Sequence, residues 1–99
     1  MTEITATKNN KHYKILVENH ANSQEVCAAV SGLMYCLEGT LWNQDQAYCH
    51  YSKLEPGYAM IECIAGNEFV EEDFRCITIG LLQIREAHPD EVVMIQNIF

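Results

Sequence analysis

Two residues whose side chains could do chemistry together, His20 and Cys27, lie seven positions apart. His20 follows a stretch of alternating apolar residues, and Cys27 lies at the start of an alanine-rich segment. A thiol becomes a strong nucleophile once it is ionised, and both a neighbouring imidazole and the N-terminus of a helix favour ionisation. Backbone N–H groups at such a helix end can also receive an oxyanion. The spacing fits a catalytic pair, and it also fits an inert thiol on a helix surface.

A predicted helix from Gln24 to Gly39 would position this pair. Asn22 is a good N-cap, and Glu25 lies at the third position of a capping box. Gly39 supplies a stop signal for the helix. Residues 20–23 then form a short loop that can fold the imidazole back toward the first helical turn.

The apolar positions of this helix predict which of its faces is buried. At about 100° per residue they form one stripe, namely Val26, Val30, Leu33 and Leu37. Cys27 lies at the border of the stripe, where a side chain is neither fully buried nor fully free. Ser31 follows one turn later, so it could contact the same site as Cys27 or simply face solvent.

The rest of the chain is predicted to form two β-hairpins, a second helix and a final strand. Alternation at Ile4 and Ala6 and at Tyr13 to Val17 flanks a polar turn over 8–11. Further strands are predicted over 47–53 and 58–64, around a turn at 55–57. A helix opens at 65–67 and stops at Pro89, and the last strand covers 91–98.

This order, ββ-α-ββ-α-β, predicts an α+β fold in which two helices cover one antiparallel-rich sheet as a two-layer sandwich. We expect one domain over residues 1–99, because the chain is too short for a second core. The outer face of the sheet would be exposed or shared with a second copy, so a homodimer is plausible.

Charge and composition exclude several classes of partner. The net charge is −8, which disfavours nucleic acid and anionic membranes, since both need a basic face. No run approaches the length of a membrane span, and the N-terminus does not resemble a signal peptide. The five cysteines include no C-x-x-C pair and match no zinc pattern, which is typical of reduced thiols in the cytoplasm.

Acidic residues are concentrated at the start of the second helix, at Glu68, Glu71, Glu72 and Asp73. The simplest interpretation is a solvated helix start, where negative charge is favourable. The same charges could instead attract a lysine-rich substrate, and its cleavage would then weaken as salt is added.

The run His20-Ala21, followed by Cys27-Ala28-Ala29-Val30-Ser31 and later by Gly80-Leu81 and Pro89, resembles the ribosomal-processing cysteine protease family. The resemblance covers nearly the whole chain, and the element order matches that family's fold. It implies a small dimeric cytoplasmic protease that removes a short N-terminal segment from a ribosomal protein, or that processes phage capsid components. By position, Cys27 would be the nucleophile and His20 the general base and acid.

The sequence departs from the family pattern around the histidine. Members usually have a glycine before it, a longer glycine-containing loop after it, and an acidic residue three positions before the cysteine; here Asn19 and Gln24 occupy those two positions. Asn22 or Gln24 could orient the imidazole as a neutral amide. No metal or organic cofactor is needed for this chemistry.

Two other functions stay open. One is a non-catalytic dimeric module that keeps the family fold and binds a peptide by strand addition at a sheet edge. The other is a redox role for Cys27, which is weaker because no second cysteine lies close in sequence to resolve an oxidised thiol.

Overall fold

The fold is described from a computed structural model over residues 1–44 and 48–99, with the side chains of residues 48, 49 and 65 left out. The predicted start of the third strand at residue 47 lies outside these residues. The elements in chain order are β1 (Thr2–Asn9), β2 (His12–Glu18), α1 (Gln24–Trp42), β3 (Tyr48–Glu55), β4 (Tyr58–Ala65), α2 (Glu68–Ala87) and β5 (Val92–Asn97). None of the helices in this described part is long and apolar enough to cross a membrane.

The β1–β2 hairpin and β4 form the centre of a mixed sheet. Within the described residues the sheet has five strands in the order β3-β4-β2-β1-β5. The β1–β2, β2–β4 and β3–β4 pairs are antiparallel, whereas β5 pairs with β1 in parallel, with Thr2 opposite Val92. The predicted α+β class, element order and antiparallel-rich sheet are therefore confirmed.

Two tight turns set the hairpin registers. In the first, Asn9 is opposite His12 and Asn10 has φ 56°, a left-handed conformation that asparagine tolerates better than most residues. In the second, Glu55 is opposite Tyr58 across Pro56-Gly57, and Gly57 has φ 75°. Proline followed by a left-handed glycine is the combination that a type II turn requires.

Both helices pack on one face of the sheet and against each other. The sheet contributes its alternate residues, among them Ile4, Ile15 and Ile61, which are fully buried. On α1 the buried residues are Val26, Val30, Met34, Leu37 and Leu41, and on α2 they are Val70, Phe74, Ile77, Thr78 and Leu81. Phe74 also stacks at 6.1 Å on Phe99, which joins the end of the chain to the core.

Two sequence predictions about α1, its N-cap and its end, are wrong in detail. Its N-cap is Ser23, whose Oγ accepts a hydrogen bond from the Val26 N–H, and not Asn22. The helix continues past Gly39 to Trp42, since Leu41 lies one turn after Leu37 and is buried. Met34 is a further buried residue that the predicted stripe lacked, whereas Leu33 is half-buried against the core. Leu33 lies toward α2, since a methyl group placed at Gly80 would come within 2.9 Å of its side chain.

Candidate active site

The segment between β2 and α1, residues 19–23, carries the predicted histidine, and we call it the His20 loop. It begins at Asn19, which has φ 70°. Asparagine is one of the few residues other than glycine that adopts this left-handed region readily. Asn19 thus provides the backbone conformation that glycine would provide, and its side chain donates a 2.9 Å hydrogen bond to the Glu3 carboxylate.

The Cys27 thiol is held against the backbone of the His20 loop. The Ala21 N–H donates to Sγ at 3.2 Å, and Sγ lies 3.7 Å from the Ala21 carbonyl oxygen. Cys27 is half-buried in the first turn of α1, on the border of its apolar stripe as predicted. The sulfur therefore has both a backbone donor and a backbone acceptor within the His20 loop.

The imidazole of His20 is exposed and lies over the β3–β4 turn. A methyl group placed at Gly57 would come within 3.0 Å of His20 Nε2, so the ring packs directly against the Gly57 backbone. The Asn19 N–H also donates to the Gly57 carbonyl at 2.8 Å. The turn therefore positions both the ring and the residue before it.

His20 and Cys27 line the same cavity, whose volume is about 150 Å³. Val17, Val30, Met34 and Ala59 contribute apolar lining, and Ser31 lies at the same cavity. No hydrogen bond joins His20 to Cys27 within the described residues. Catalytic hydrogen bonds are often long before substrate binds, so the free geometry is compatible with a pair that closes around a ligand.

A second cavity of about 250 Å³ continues from the first, between α1 and the β3–β4 hairpin. The two cavities share Ser31, Met34, Glu55, Pro56 and Ala59, and the second adds Tyr35 and Leu54. Together they form a groove that leads away from Cys27. An extended chain segment is the shape that such a groove accommodates.

The other predicted site residues lie outside this cavity. Asn22 and Gln24 are both exposed, and neither donates a hydrogen bond to His20 within the described part of the chain. Sequence reasoning missed Gly57, although Pro-Gly marked its turn, because nothing in the sequence places that turn beside His20. It also missed Thr2 and Glu91, which contact the ends of the His20 loop.

The acidic start of α2 lies at the opposite end of the sheet from the cavity. Glu71 contacts Lys8 at 2.7 Å and the Tyr13 hydroxyl at 3.4 Å, and both partners belong to the β1–β2 turn region. The hydrogen bond from Lys8 lowers the pKa of Glu71. Burial, followed by the Glu71 charge, raises the pKa of Tyr13. These charges brace the hairpin against α2 and do not border the candidate site.

Solved structures with the same architecture identify the fold. Prp from S. aureus, an essential ribosomal processing protease solved with a substrate peptide, superposes with a TM-score of 0.82 over 98% of this chain and 100% of its own, at 14% identity. Its complex with a covalently linked product peptide gives a TM-score of 0.80 over the same shares of the two chains, at 15% identity. This chain has the Prp fold.

The likeness is one of structure and not of closely similar sequence. SMU.848 from Streptococcus mutans superposes with a TM-score of 0.75 at 21% identity, over 97% of this chain and 96% of its own. Neither a protein-family model nor a curated protein sequence matches this chain. The Prp fold that the sequence resemblance implied is confirmed on full-length coverage.

Proposed function

We propose that this chain is a cysteine endopeptidase and a diverged member of the Prp family. The observation that carries the proposal is that one cavity brings together the Cys27 thiol, the His20 imidazole and a backbone donor to sulfur, the Ala21 N–H. The Prp structures with substrate and product peptides support a peptide as the ligand of this cavity.

In the proposed reaction His20 takes the proton of the Cys27 thiol, and the resulting thiolate attacks a peptide carbonyl. A C–S bond forms as the carbonyl oxygen becomes an oxyanion. The Ala21 N–H, 3.2 Å from Sγ, is close enough to transfer its hydrogen bond to that oxyanion. The C–N bond then breaks, and the protonated His20 gives its proton to the departing amine. Water then attacks the thioester as His20 takes up one of its protons. The C–S bond breaks, the carboxylic acid product leaves, and His20 returns the proton to the Cys27 sulfur.

The proposed substrate is the N-terminal segment of a ribosomal protein or of a phage capsid protein. The groove formed by the two cavities supports an extended peptide with apolar side chains, since Met34, Tyr35, Leu54 and Ala59 line it. We further propose that the protein works in the cytoplasm as a homodimer. No nucleic acid, membrane or cofactor takes part in the proposed reaction.

The deciding experiment measures cleavage of such N-terminal peptides by the wild type and by Cys27→Ala and His20→Ala. Both substitutions should reduce cleavage to the uncatalysed background, because each removes one partner of the attack and of the proton transfer. Cys36→Ala is the matched control, since Cys36 is exposed on the same helix and outside the cavity. Cleavage that persists in Cys27→Ala would exclude the proposal.

Two observations favour the alternative, a non-catalytic dimeric peptide-binding module. In the part of the chain that the structure describes, His20 and Cys27 share no hydrogen bond, and β3 and β5 are sheet edges that could add a strand. Iodoacetamide alkylation of each cysteine against pH separates the two functions. A protease requires Cys27 to react faster than the exposed Cys36 and Cys76, with that advantage lost in His20→Ala; a binding module predicts that Cys27 reacts no faster than they do.

A further inference from the structure

The His20 loop is tied at its N-terminal end to the first strand. The Thr2 hydroxyl donates a 3.1 Å hydrogen bond to the Asn19 carbonyl. Thr2 is only 3% exposed, and it is one of two buried polar residues among those described. A buried hydroxyl is costly unless it is hydrogen-bonded, so this contact fixes where the loop leaves β2.

The C-terminal end of the loop is tied to the residue before β5. The Glu91 carboxylate accepts the Ser23 N–H at 2.6 Å and the Ser23 hydroxyl at 3.3 Å. The Glu91 side chain is 16% exposed, and His88 Nδ1 lies 3.6 Å from it. Hydrogen bonds to a charged acceptor are roughly twice as strong as neutral ones, and partial burial limits competition from water.

A further hydrogen bond joins Thr2 to Glu91, the two residues that tie the ends of the loop. The Thr2 N–H donates to the Glu91 carbonyl at 2.8 Å, next to the parallel pairing of Thr2 with Val92. The ends of the loop are therefore held by neighbouring residues on two paired segments. Between them only His20, Ala21 and Asn22 remain, and Ala21 makes the contact with Cys27.

We propose that Thr2 and Glu91 are positioning residues that hold the His20 loop in its reactive geometry. The inference rests on the proposed protease function. The loop contains no glycine, so its conformation follows from where its two ends are anchored. A displacement of about 1 Å at a catalytic group can cost about a hundredfold in rate. Glu91 lies outside the cavity, and Thr2 borders it with only 3% of its surface exposed. We infer that each acts through the backbone that carries His20 and Ala21.

The test compares Thr2→Val and Glu91→Ala with the conservative variants Thr2→Ser and Glu91→Gln. Valine matches threonine in shape but lacks the hydroxyl, whereas serine keeps it; glutamine keeps an acceptor oxygen, whereas alanine does not. With a cleaved peptide, we expect kcat to fall about 10- to 100-fold in Thr2→Val and Glu91→Ala, with KM within about twofold of the wild type. Thr2→Ser and Glu91→Gln should keep most of the wild-type kcat. Asp90→Ala, an exposed neighbour of Glu91, should leave kcat unchanged.

Amide hydrogen exchange at Ala21 and Ser23 gives a readout that does not need activity. Loss of either tie should speed exchange at these amides by about tenfold or more, while buried amides of β2 stay protected. Unchanged exchange in folded Thr2→Val and Glu91→Ala would overturn the inference, and so would an unchanged kcat. If the wild type cleaves no peptide but Thr2→Val and Glu91→Ala still speed exchange at Ala21 and Ser23, the proposed function fails and the anchoring of the loop is supported. If Glu91→Ala does not fold, Thr2→Val decides both measurements.

Discussion

At the scale of single residues, the geometry of the candidate site depends on where the backbone approaches two side chains. Cys27 Sγ receives the Ala21 N–H, and the His20 ring lies on the backbone of Gly57. Both contacts are with main-chain atoms, so they depend on where the backbone lies more than on which residue occupies the position. Substitutions that move the backbone, or that add atoms to it, should therefore change activity as strongly as changes in the polar residues nearby.

Gly57→Ala should reduce cleavage sharply and also lower the stability of the fold. The added methyl group would lie 3.0 Å from His20 Nε2, and Gly57 has φ 75°, where an L residue costs about 1–2 kcal/mol. The exposed imidazole can move away from the methyl group, so we expect kcat to fall strongly while the protein still folds. Peptide cleavage together with thermal unfolding measures both.

Gly39→Ala is the matched control for this substitution. A methyl group at Gly39 meets nothing within 4 Å, and the residue lies inside α1. Alanine there should raise stability by about 0.5–1 kcal/mol through helix propensity and leave cleavage unchanged. Equal activities of Gly57→Ala and Gly39→Ala would show that the ring does not depend on the turn.

The sequence could indicate His20 and Cys27 because they are close in the chain and their types are suited to one reaction. It could not indicate Thr2 or Glu91. These residues act on Asn19 and Ser23 from 17 and 68 positions away, and only the pairing of β5 with β1 brings them to the same corner. Their types, a threonine and a glutamate, carry no signal of their own.

At the scale of elements, the sequence predicted where helices and strands occur and where α2 begins and ends, but not the N-cap or the C-terminal end of α1. Asn22 and Ser23 are both good N-caps, and the side chain that reaches the Val26 N–H, that of Ser23, decides between them. Gly39 costs about 1 kcal/mol relative to alanine inside a helix. Burying Leu41 to 1% exposure offsets that cost, so α1 continues to Trp42.

The contact between α2 and the first hairpin should make stability depend on pH through Glu71. Lys8 lowers the Glu71 pKa below its ordinary value of 4.5, so the folded state favours the ionised carboxyl. This contribution is present above that ordinary value and is lost as the pH falls through the lowered pKa. Glu71→Gln should therefore lower the melting temperature at neutral pH, by an amount that shrinks in acid.

Glu72→Gln provides the comparison on the same helix. Glu72 is 69% exposed and contacts only Arg75 among the described residues, at 3.4 Å, so its removal should barely change the melting temperature. The tyrosinate absorbance of Tyr13 gives a second readout, since Glu71→Gln removes a charge that raises the Tyr13 pKa. If the two variants melt alike at every pH, the Lys8–Glu71 pair contributes nothing to stability.

At the scale of the whole molecule, the fold class followed from element order, whereas the strand order did not. Hairpins pair neighbouring strands, which accounts for β1–β2 and β3–β4. The pairing of β2 with β4 and the parallel addition of β5 to β1 depend on how two helices cover one face of the sheet. Local patterns contain no information about that choice.

The proposed homodimer predicts a mass near twice the 11.3 kDa of one chain in sedimentation equilibrium. If the outer sheet face forms the interface, Ile64→Glu should produce monomers, because Ile64 is 56% exposed on that face. Ile79→Glu is the matched control, since Ile79 is 50% exposed on α2. A wild-type mass of one chain would contradict the dimer. Monomers from Ile79→Glu alone would show that the interface lies on the helices and not on the outer sheet face.

The parallel pairing of β5 with β1 also has a consequence for when the proposed anchors of the His20 loop can form during synthesis. Ser23 reaches Glu91 across 68 positions, and Thr2 reaches the same residue across 89. A growing chain that has only β1, β2 and α1 already contains His20 and Cys27, but it lacks the contacts that hold the loop between them. If the proposed anchoring holds, the loop is held at both ends only after residue 91 has been made and β5 has paired with β1, so a shorter nascent chain has His20 and Cys27 without both anchors.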